Sequence, residues 1–529
     1  MPRTAAYIVV LLIGCASARA LLSKRIVAGH DANVYITRLA EYDDSLTYRI
    51  FAPRWAPHLG AGYGEPTWIF APPLFEALCE SVHLLGAGYI FAENVTLIGL
   101  FLFAGTLMFL IGSRLGGVAG SIAAAVAWFF TPYVLTDLFV RHASAEFSAT
   151  CFLPVTLLAL QRIHADALQG STLLLAIGVA AVGLTHHGVL LIAFPFWVAG
   201  TILLGIKRGA AGWAAGIGLA GGLAIATWSW LPALVERSYV HLNLLHAGFF
   251  EFERHFVPFL QLFGIAHPGV LNFSIGPLLL LVAMATLFAL RSEDRAEVFF
   301  AAAVAAFGIF FSTAASALLW RQAPLMQDLA FPWRFLVLPA VSIPVIIASA
   351  ARRWPVITLI AVSLHAAMFF PLQRATGYLA LTNEDRSPLR IAARGIVETS
   401  QDEYRPRWAE TLQPSSESAF DPLLPGRQLS YSPVDRLYEV VSPANIVARL
   451  HIFYFPGWLV EIDDHHAEIQ PSQRTGLIEF ALPRGRHLVR ARFVATPDRA
   501  IADIVTIVGL LAVFLFRNGA AIFSSGKTP

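Results

Sequence analysis

Charge is what this sequence has least of. Only 14% of its 529 residues are Asp, Glu, Lys or Arg, against about 25% in an ordinary soluble domain. Apolar residues make up 57% and mean hydropathy is +0.63. Too little polar surface exists to cover one water-soluble core, and too little charge to keep the chain disordered. The formal net charge is +2, which gives no field for a polyanion, so nucleic acid is not expected as a partner. Cysteine is scarce too. Cys15, Cys79 and Cys151 lie far apart in apolar or border segments, with neither disulfide nor metal-ligand spacing, and fit small packing residues. There is no repeat of fixed period and no low-complexity tract. No Gly-rich phosphate loop, Ser/His/Asp set or Cys/His nucleophile arrangement stands out. An α-helical polytopic membrane protein is left.

A transmembrane helix needs about 20 mainly apolar residues. Twelve stretches qualify: 5–22, 90–113, 119–140, 144–161, 171–186, 188–206, 213–234, 276–290, 297–319, 333–350, 355–371 and 501–516. Residues 67–88 are apolar as well, but Pro66, Pro72, Pro73, Glu76 and Glu80 interrupt them, which reads as an interfacial or re-entrant helix. With the N-terminus in the cytosol, the short inner turns carry Arg3, Arg114, Arg162, Lys207 with Arg208, Arg291 with Arg295, Arg352 with Arg353, and Arg517 with Lys527. Each turn is positive, as inner loops should be, and tryptophans collect at both boundaries. Lys24 and Arg25 fall outside and break the rule. The first helix is expected to stay as an anchor. Its rival reading is a cleaved signal peptide, with Leu12-Ile13-Gly14-Cys15 shaped like a lipoprotein processing site.

This topology leaves three long outer segments, 23–89, 235–275 and 372–500, and almost nothing inside. From about 427 the last of them alternates apolar and polar residues, as half-buried strands do. Strands are expected at Arg436–Val440, Ile446–Phe453, Gly457–Ile462, Gly476–Leu482 and His487–Val494. Pro425-Gly426, Pro456-Gly457 and Pro483-Arg484-Gly485 punctuate them. The expected domains are a transmembrane part over 1–371, an extracytoplasmic part over 372–500 ending in a β-sandwich-like unit, and a final helix with a cytosolic tail over 501–529.

Chemistry concentrates in the first outer loop. Gly29-His30-Asp31 opens it, Tyr35 follows one helical turn on, and then come Arg54-Trp55, Gly62-Tyr63-Gly64-Glu65-Pro66 and Trp68. Glycines allow close approach and prolines fix turns, while Trp and Tyr offer flat faces for sugar rings. Asp31 beside a rigid aromatic loop reads as a general base. It also reads as the cap of a helix over 32–42. Further ionisable residues gather at the same end of the helices: Asp137, Arg141, His142 and Glu146, then His186 and His187, then Arg321, Asp328 and Arg334. Charges at membrane depth are costly and mark function by default. Arginine forks suit phosphate, while Arg141 with Glu146 or Asp137 equally makes a structural ion pair. His186-His187 reads as interhelical hydrogen bonding, and His465-His466 as part of a solvated hairpin.

The order of these motifs carries a resemblance. Gly29-His30-Asp31, Arg54-Trp55, Gly62-Tyr63-Gly64-Glu65-Pro66 and Pro72-Pro73-Leu74 resemble the first outer loop of a bacterial multipass family labelled the membrane 6-pyruvoyl-tetrahydropterin-synthase-related domain. That family resembles in turn the GT-C integral membrane glycosyltransferases. Tyr133 to Glu146, Thr185-His186-His187, Phe331-Pro332-Trp333-Arg334-Phe335, Asp402 to Trp408 and Tyr454-Phe455-Pro456-Gly457-Trp458 extend it over nearly the whole chain. The resemblance implies a GT-C-like fold in a bacterial cytoplasmic (inner) membrane with its active face extracytoplasmic. It implies transfer of a sugar from a polyprenyl-phosphate or polyprenyl-diphosphate donor to a glycan, lipid or protein acceptor. Asp31 would be the catalytic base, with His30, Tyr35, Arg54, Trp55, Tyr63, Glu65, Trp68, Arg141, Glu146, His187 and Arg334 binding substrate. No cofactor is firmly implied, and participation of a divalent cation (Mg or Mn) is left open. This chain departs from many members in having Tyr35 where they have histidine, and in placing its acidic pair, Asp43-Asp44, later. The alternative is a non-catalytic lipid-glycan transporter or assembly subunit of cell-envelope polysaccharide synthesis. Charges at one face rather than deep in paired halves speak against it.

Overall fold

The computed structural model describes residues 1–264, 269–288, 295–383, 390, 402–410 and 418–525. Arg291 and Lys527, two of the basic turn residues, lie outside them. Helices form over every one of the apolar stretches: α1 (Arg3–Ser17), α2 (Ala32–Thr47), α3 (Leu74–His83), α4 (Tyr89–Phe129), α5 (Ser144–His164), α6 (Leu168–Gly183), α7 (His187–Lys207), α8 (Gly209–Glu236), α9 (Pro277–Phe288), α10 (Arg295–Ser312), α11 (Val337–Arg353), α12 (Pro355–Phe369) and α13 (Pro497–Ser525). Here α2 and α3 belong to the segment 23–89, expected to be the first outer loop and called by that name below. Among the described residues, five helices are long and apolar enough to cross a membrane by length and composition. There are six if Ala296–Ser312 and Ala314–Gln322, bent by 83°, form one span. That is the make-up of a multi-pass membrane protein.

The longest of these, α4 and its extension to Arg141, is not a rod. Gly116 and Gly117 leave helical geometry, Gly117 at φ 61°, where a side chain would strain the backbone. Phe101 and Phe129 would stand about 42 Å apart on a straight helix, yet their rings meet at 4.8 Å. The element folds back on itself beside Arg114, where the sequence separates the stretches 90–113 and 119–140. α11, buried from Val337 to Ala351, packs against this hairpin.

Pro72 and Pro73 split the apolar run 67–88 into a short turn, Thr67–Phe70, and α3. Ten residues of α3 reach about 15 Å, half of what a crossing needs.

Among the described residues nine strands follow: β1 (Phe420–Asp421), β2 (Gly426–Ser432), β3 (Asp435–Ser442), β4 (Ile446–Phe453), β5 (Trp458–Ile462), β6 (His465–Ala467), β7 (Ile469–Pro471), β8 (Leu477–Leu482) and β9 (Gly485–Phe493). They make a four-stranded sheet, β1-β4-β8-β7, and a five-stranded one, β2-β3-β9-β5-β6. All pairings are antiparallel. Alternate residues of both sheets, Leu450 and Ile478 from one and Val440 and Val489 from the other, share a core. Phe420 meets Tyr438 across the gap at 5.1 Å. Two sheets joined through their inner faces make a sandwich. The five expected strands are β3, β4, β5, β8 and β9. The four missed ones are mostly short edge strands, too brief to show a period. His465 and His466 are exposed as expected, but they lie on β6, paired with Ile462 and Glu461, and the turn itself is Asp463-Asp464.

The sandwich core does not end at the sheets. Trp55, Ile69 and Phe70 of the first outer loop belong to it. α13 returns to the helices and is locked there by Arg499, whose guanidinium donates to both oxygens of Glu236 on α8 at 2.8 Å. Both side chains are buried.

Candidate functional site

One cavity of about 1060 Å³ lies where the first outer loop, the ends of the helices and the segment after 402 converge. Its wall contains Asp31, Tyr35, Arg38, Arg141, His187, Arg334, Glu403 and Tyr404, with His30 at its edge. The local reason starts with Gly29. The segment Gly29–Asp31 runs against the end of a short π-helical turn, Asp137–Arg141. His30 N–H donates to the Val140 carbonyl at 3.2 Å and Asp31 N–H to the Arg141 carbonyl at 2.8 Å. A Cβ on Gly29 would stand 2.4 Å from the His142 Cβ, so only glycine permits the approach. Asp31 is thereby fixed beside Arg141.

Asp31 occupies the N-cap position of α2, yet its side chain makes no capping hydrogen bond. The capping role that the sequence also allowed is not taken up. The carboxylate is half-buried and faces the cavity. Tyr35 and Arg38 follow at i+4 and i+7, on the same face of α2, and both line the cavity. Arg38 is a functional candidate that the sequence reading passed over, and this helical spacing from Asp31 would have found it. Burial first, and then the charge of Asp31, push the Tyr35 phenol well above its usual range. It is a neutral hydroxyl there, able to donate or accept but not to ionise.

Arg141 and Arg334 come together through Glu146. Arg141 Nη2 and Arg334 Nε both donate to Glu146 Oε2, at 3.0 and 3.1 Å. Tyr133 donates to the other oxygen, and Asp137 pairs with Arg141. Aromatic plates hold the guanidinium groups: Arg141 lies 4.3 Å from the Trp333 ring centre and Arg334 5.1 Å from that of Phe331. Those two rings stack on each other at 4.9 Å. The Phe331-Pro332-Trp333-Arg334 run is therefore an arginine holder, a role its sequence did not disclose. Arg334 Nη1 also donates to the Leu329 carbonyl at 2.5 Å. His187 Nε2 lies 2.6 Å from Ser229 Oγ on α8, and His186 Nδ1 caps α7 by accepting from Val189 N–H. Both histidines line the cavity.

Five expected substrate-binding residues are not part of this wall, and a sixth acts only at second hand. Trp55 is fully buried between Phe455, Trp458 and Phe493 of the sandwich. Trp68 is fully buried against Tyr42. Tyr63 packs on Phe453 and His451. Trp55 and Tyr63 join the loop to the sandwich and Trp68 packs within the loop, so none of the three rings lines the cavity. Arg54 reaches away to Asp503 on α13 at 2.6 Å and lies over Trp228. Glu65 is buried at the turn that pairs it with Ala56, and burial pushes its carboxyl up to about 8. Glu146 does not border the cavity; it sets the two arginines that do. In place of the lost rings, Phe70 stacks on Tyr404 at 5.6 Å, and both face the cavity.

No protein-family model matches the chain, and no curated protein matches it. Among solved structures it is similar to the arabinofuranosyltransferase AftD from Mycobacteria, with 18% identity, 72% of this chain covered and a TM-score of 0.41. A point mutant of AftD gives 19%, 74% and 0.41. The chain spans about a quarter of those proteins' length, 27% and 28%.

Proposed function

We propose that the chain is a GT-C-type membrane glycosyltransferase acting in cell-envelope synthesis, at the outer face of a bacterial cytoplasmic membrane. It would move a sugar from a polyprenyl-linked phosphate donor to a hydroxyl acceptor, with the twelve apolar helices as its crossings. The observation that carries this reading is the meeting, in one cavity, of an uncapped carboxylate with two arginines fixed by a shared glutamate. Asp31 accepts the proton of the acceptor hydroxyl as its oxygen bonds to the anomeric carbon. The bond from that carbon to the phosphate oxygen breaks and its electron pair leaves with the phosphate. Arg141 and Arg334 meet the growing negative charge, a stabilisation of several kcal/mol where water is scarce. His187 and Tyr35 add neutral polar contacts, and Phe70 with Tyr404 provides the flat faces.

A donor with an isoprenoid tail also needs a way in from the side. Leu191, Phe194 and Leu234, on α7 and α8, line the cavity and are 38%, 40% and 46% exposed. An apolar wall of that kind suits a lipid tail whose phosphate sits at the arginines. The resemblance of the first outer loop to GT-C enzymes supports the same reading.

The test is incubation of purified full-length protein with a panel of polyprenyl-phosphate sugars, following release of polyprenyl phosphate. Wild type should release it with at least one donor. Asp31→Asn should lower the rate by roughly 10²–10⁴-fold with membrane insertion unchanged. Near-normal release by Asp31→Asn would remove the assignment. Donor binding without bond cleavage by wild type would favour the transporter alternative.

A further inference from the structure

α2 carries Asp31 at one end and Asp43 twelve residues further on, about 18 Å along the axis. At that far end Asp43 meets Glu80 and His83 of α3, with one oxygen or nitrogen atom from each lying within 4.8 Å of the others. Glu80 and His83 stand at i and i+3, so they share a helix face. We propose that Asp43, Glu80 and His83 bind a divalent transition-metal ion that staples α2 to α3. The proposal does not depend on the glycosyltransferase reading.

Three observations carry it. The first is Glu80. It is only 1% exposed, and both of its carboxylate oxygens are buried with no hydrogen-bond partner among the described residues. An unsatisfied buried carboxylate is expensive, and a cation at its mouth removes the cost. The second is the tautomer of His83. Its Nδ1 lies 2.6 Å from the Ala87 carbonyl, which can only accept, so Nδ1 holds the proton. Nε2 is left as the ring atom turned to the cluster, 3.9 Å from Asp43 Oδ2, and a backbone carbonyl orients the ring as it does for metal-bound histidines. The third is the support behind Asp43 and His83. Tyr89 donates to Asp43 Oδ2 at 2.5 Å, and its ring stacks on His83 at 4.4 Å.

Two carboxylates and one imidazole suit zinc or manganese better than magnesium or calcium, which prefer all-oxygen shells. Ligands around zinc sit about 2.0–2.2 Å from the ion, so the three side chains must close by roughly an ångström. The side chains of His83 and Asp43 are 26% and 25% exposed, which gives the ion an entry path and leaves room for a water ligand.

The experiment uses tag-free full-length protein, stripped with chelator and titrated with ZnCl₂ alone, with MnCl₂ and MgCl₂ as comparison arms. Metal content after gel filtration and the thermal unfolding midpoint are read. Wild type should retain about one zinc per chain and unfold at a higher temperature with it. Binding should be weaker to manganese and weakest to magnesium, as the order of divalent affinities requires. Glu80→Gln keeps the shape and removes like-charge repulsion, so the stripped variant should be at least as stable as stripped wild type. Its zinc affinity should nevertheless fall at least tenfold, as should that of His83→Ala. The double change His465→Ala with His466→Ala, at the exposed hairpin, should leave binding intact. The proposal is overturned if wild type retains no zinc, if Glu80→Gln binds as wild type does, or if the hairpin change abolishes binding.

Discussion

A carboxyl group sealed to 4% exposure, as in Glu65, titrates differently in the folded and unfolded chain. Burial, and then the neighbouring Asp402, raise its pKa from 4.5 to about 8. Between those two values the native state holds a proton that the unfolded chain has released. The stability from this group is therefore fully present below about pH 4.5 and is lost as pH rises through 8, by up to about 1.4 kcal/mol per pH unit. Glu65→Gln should flatten the fall in stability between pH 6 and 9, and be more stable than wild type at pH 8.5. Denaturant midpoints across that range check it, and an unchanged slope would count against the assignment. The residue scale is also where the sequence was least legible. Trp55, Tyr63 and Trp68 look like a sugar platform in a glycine-rich loop. Their surroundings are set by the fold: Trp55 packs on Trp458 and Phe493 and Tyr63 on Phe453, far along the chain, while Trp68 is buried against Tyr42 across the loop, contacts that no local pattern announces. Asp31, Arg141, His187 and Arg334 were legible because charge near a membrane helix is costly wherever the chain folds.

Periodicity works best at the scale of elements. The apolar stretches are long enough to specify helices without tertiary help, and the hairpin in α4 was visible as the break at Arg114 between the stretches 90–113 and 119–140. What the sequence could not give is the docking of Gly29–Asp31 onto Val140 and Arg141, because that contact depends on absent atoms. Replacing Gly29 with alanine puts a methyl 2.4 Å from the His142 Cβ and 2.8 Å from its nitrogen. The segment must lift, and the hydrogen bonds of His30 and Asp31 to the π-helical turn must lengthen or break. Gly29→Ala should cost about 1–3 kcal/mol of stability, as overpacking does. It should also lower transfer at least tenfold while Asp31 itself is untouched, since small misplacements of a reacting group are expensive. Stability and rate measured on the same preparation separate the two effects. Wild-type rate with reduced stability would mean that this contact does not position Asp31.

Across the whole molecule, helices, outer loop and sandwich are held as one body by two kinds of joint. The Trp55, Phe455, Trp458 and Phe493 cluster joins loop to sheet through apolar area. The Arg499–Glu236 pair joins the root of α13 to α8 through charge, and Arg499 also donates to the Pro456 carbonyl at 2.8 Å. Its guanidinium lies 4.7 Å from the Phe493 ring centre, so the two joints meet at one arginine. Removing one partner of a buried pair leaves the other charge without compensation, which costs about 3–5 kcal/mol, whereas replacing both by apolar side chains of similar size is often neutral. Arg499→Met and Glu236→Met should each loosen the sandwich, seen as faster proteolysis near residue 494 and a lower denaturation midpoint. The double variant should recover most of the loss, because the penalty belongs to the stranded charge and not to missing contact area. Simple addition of the two losses would show instead that the joint works by packing, and that Arg499 serves the sandwich through its rings and the Pro456 carbonyl alone.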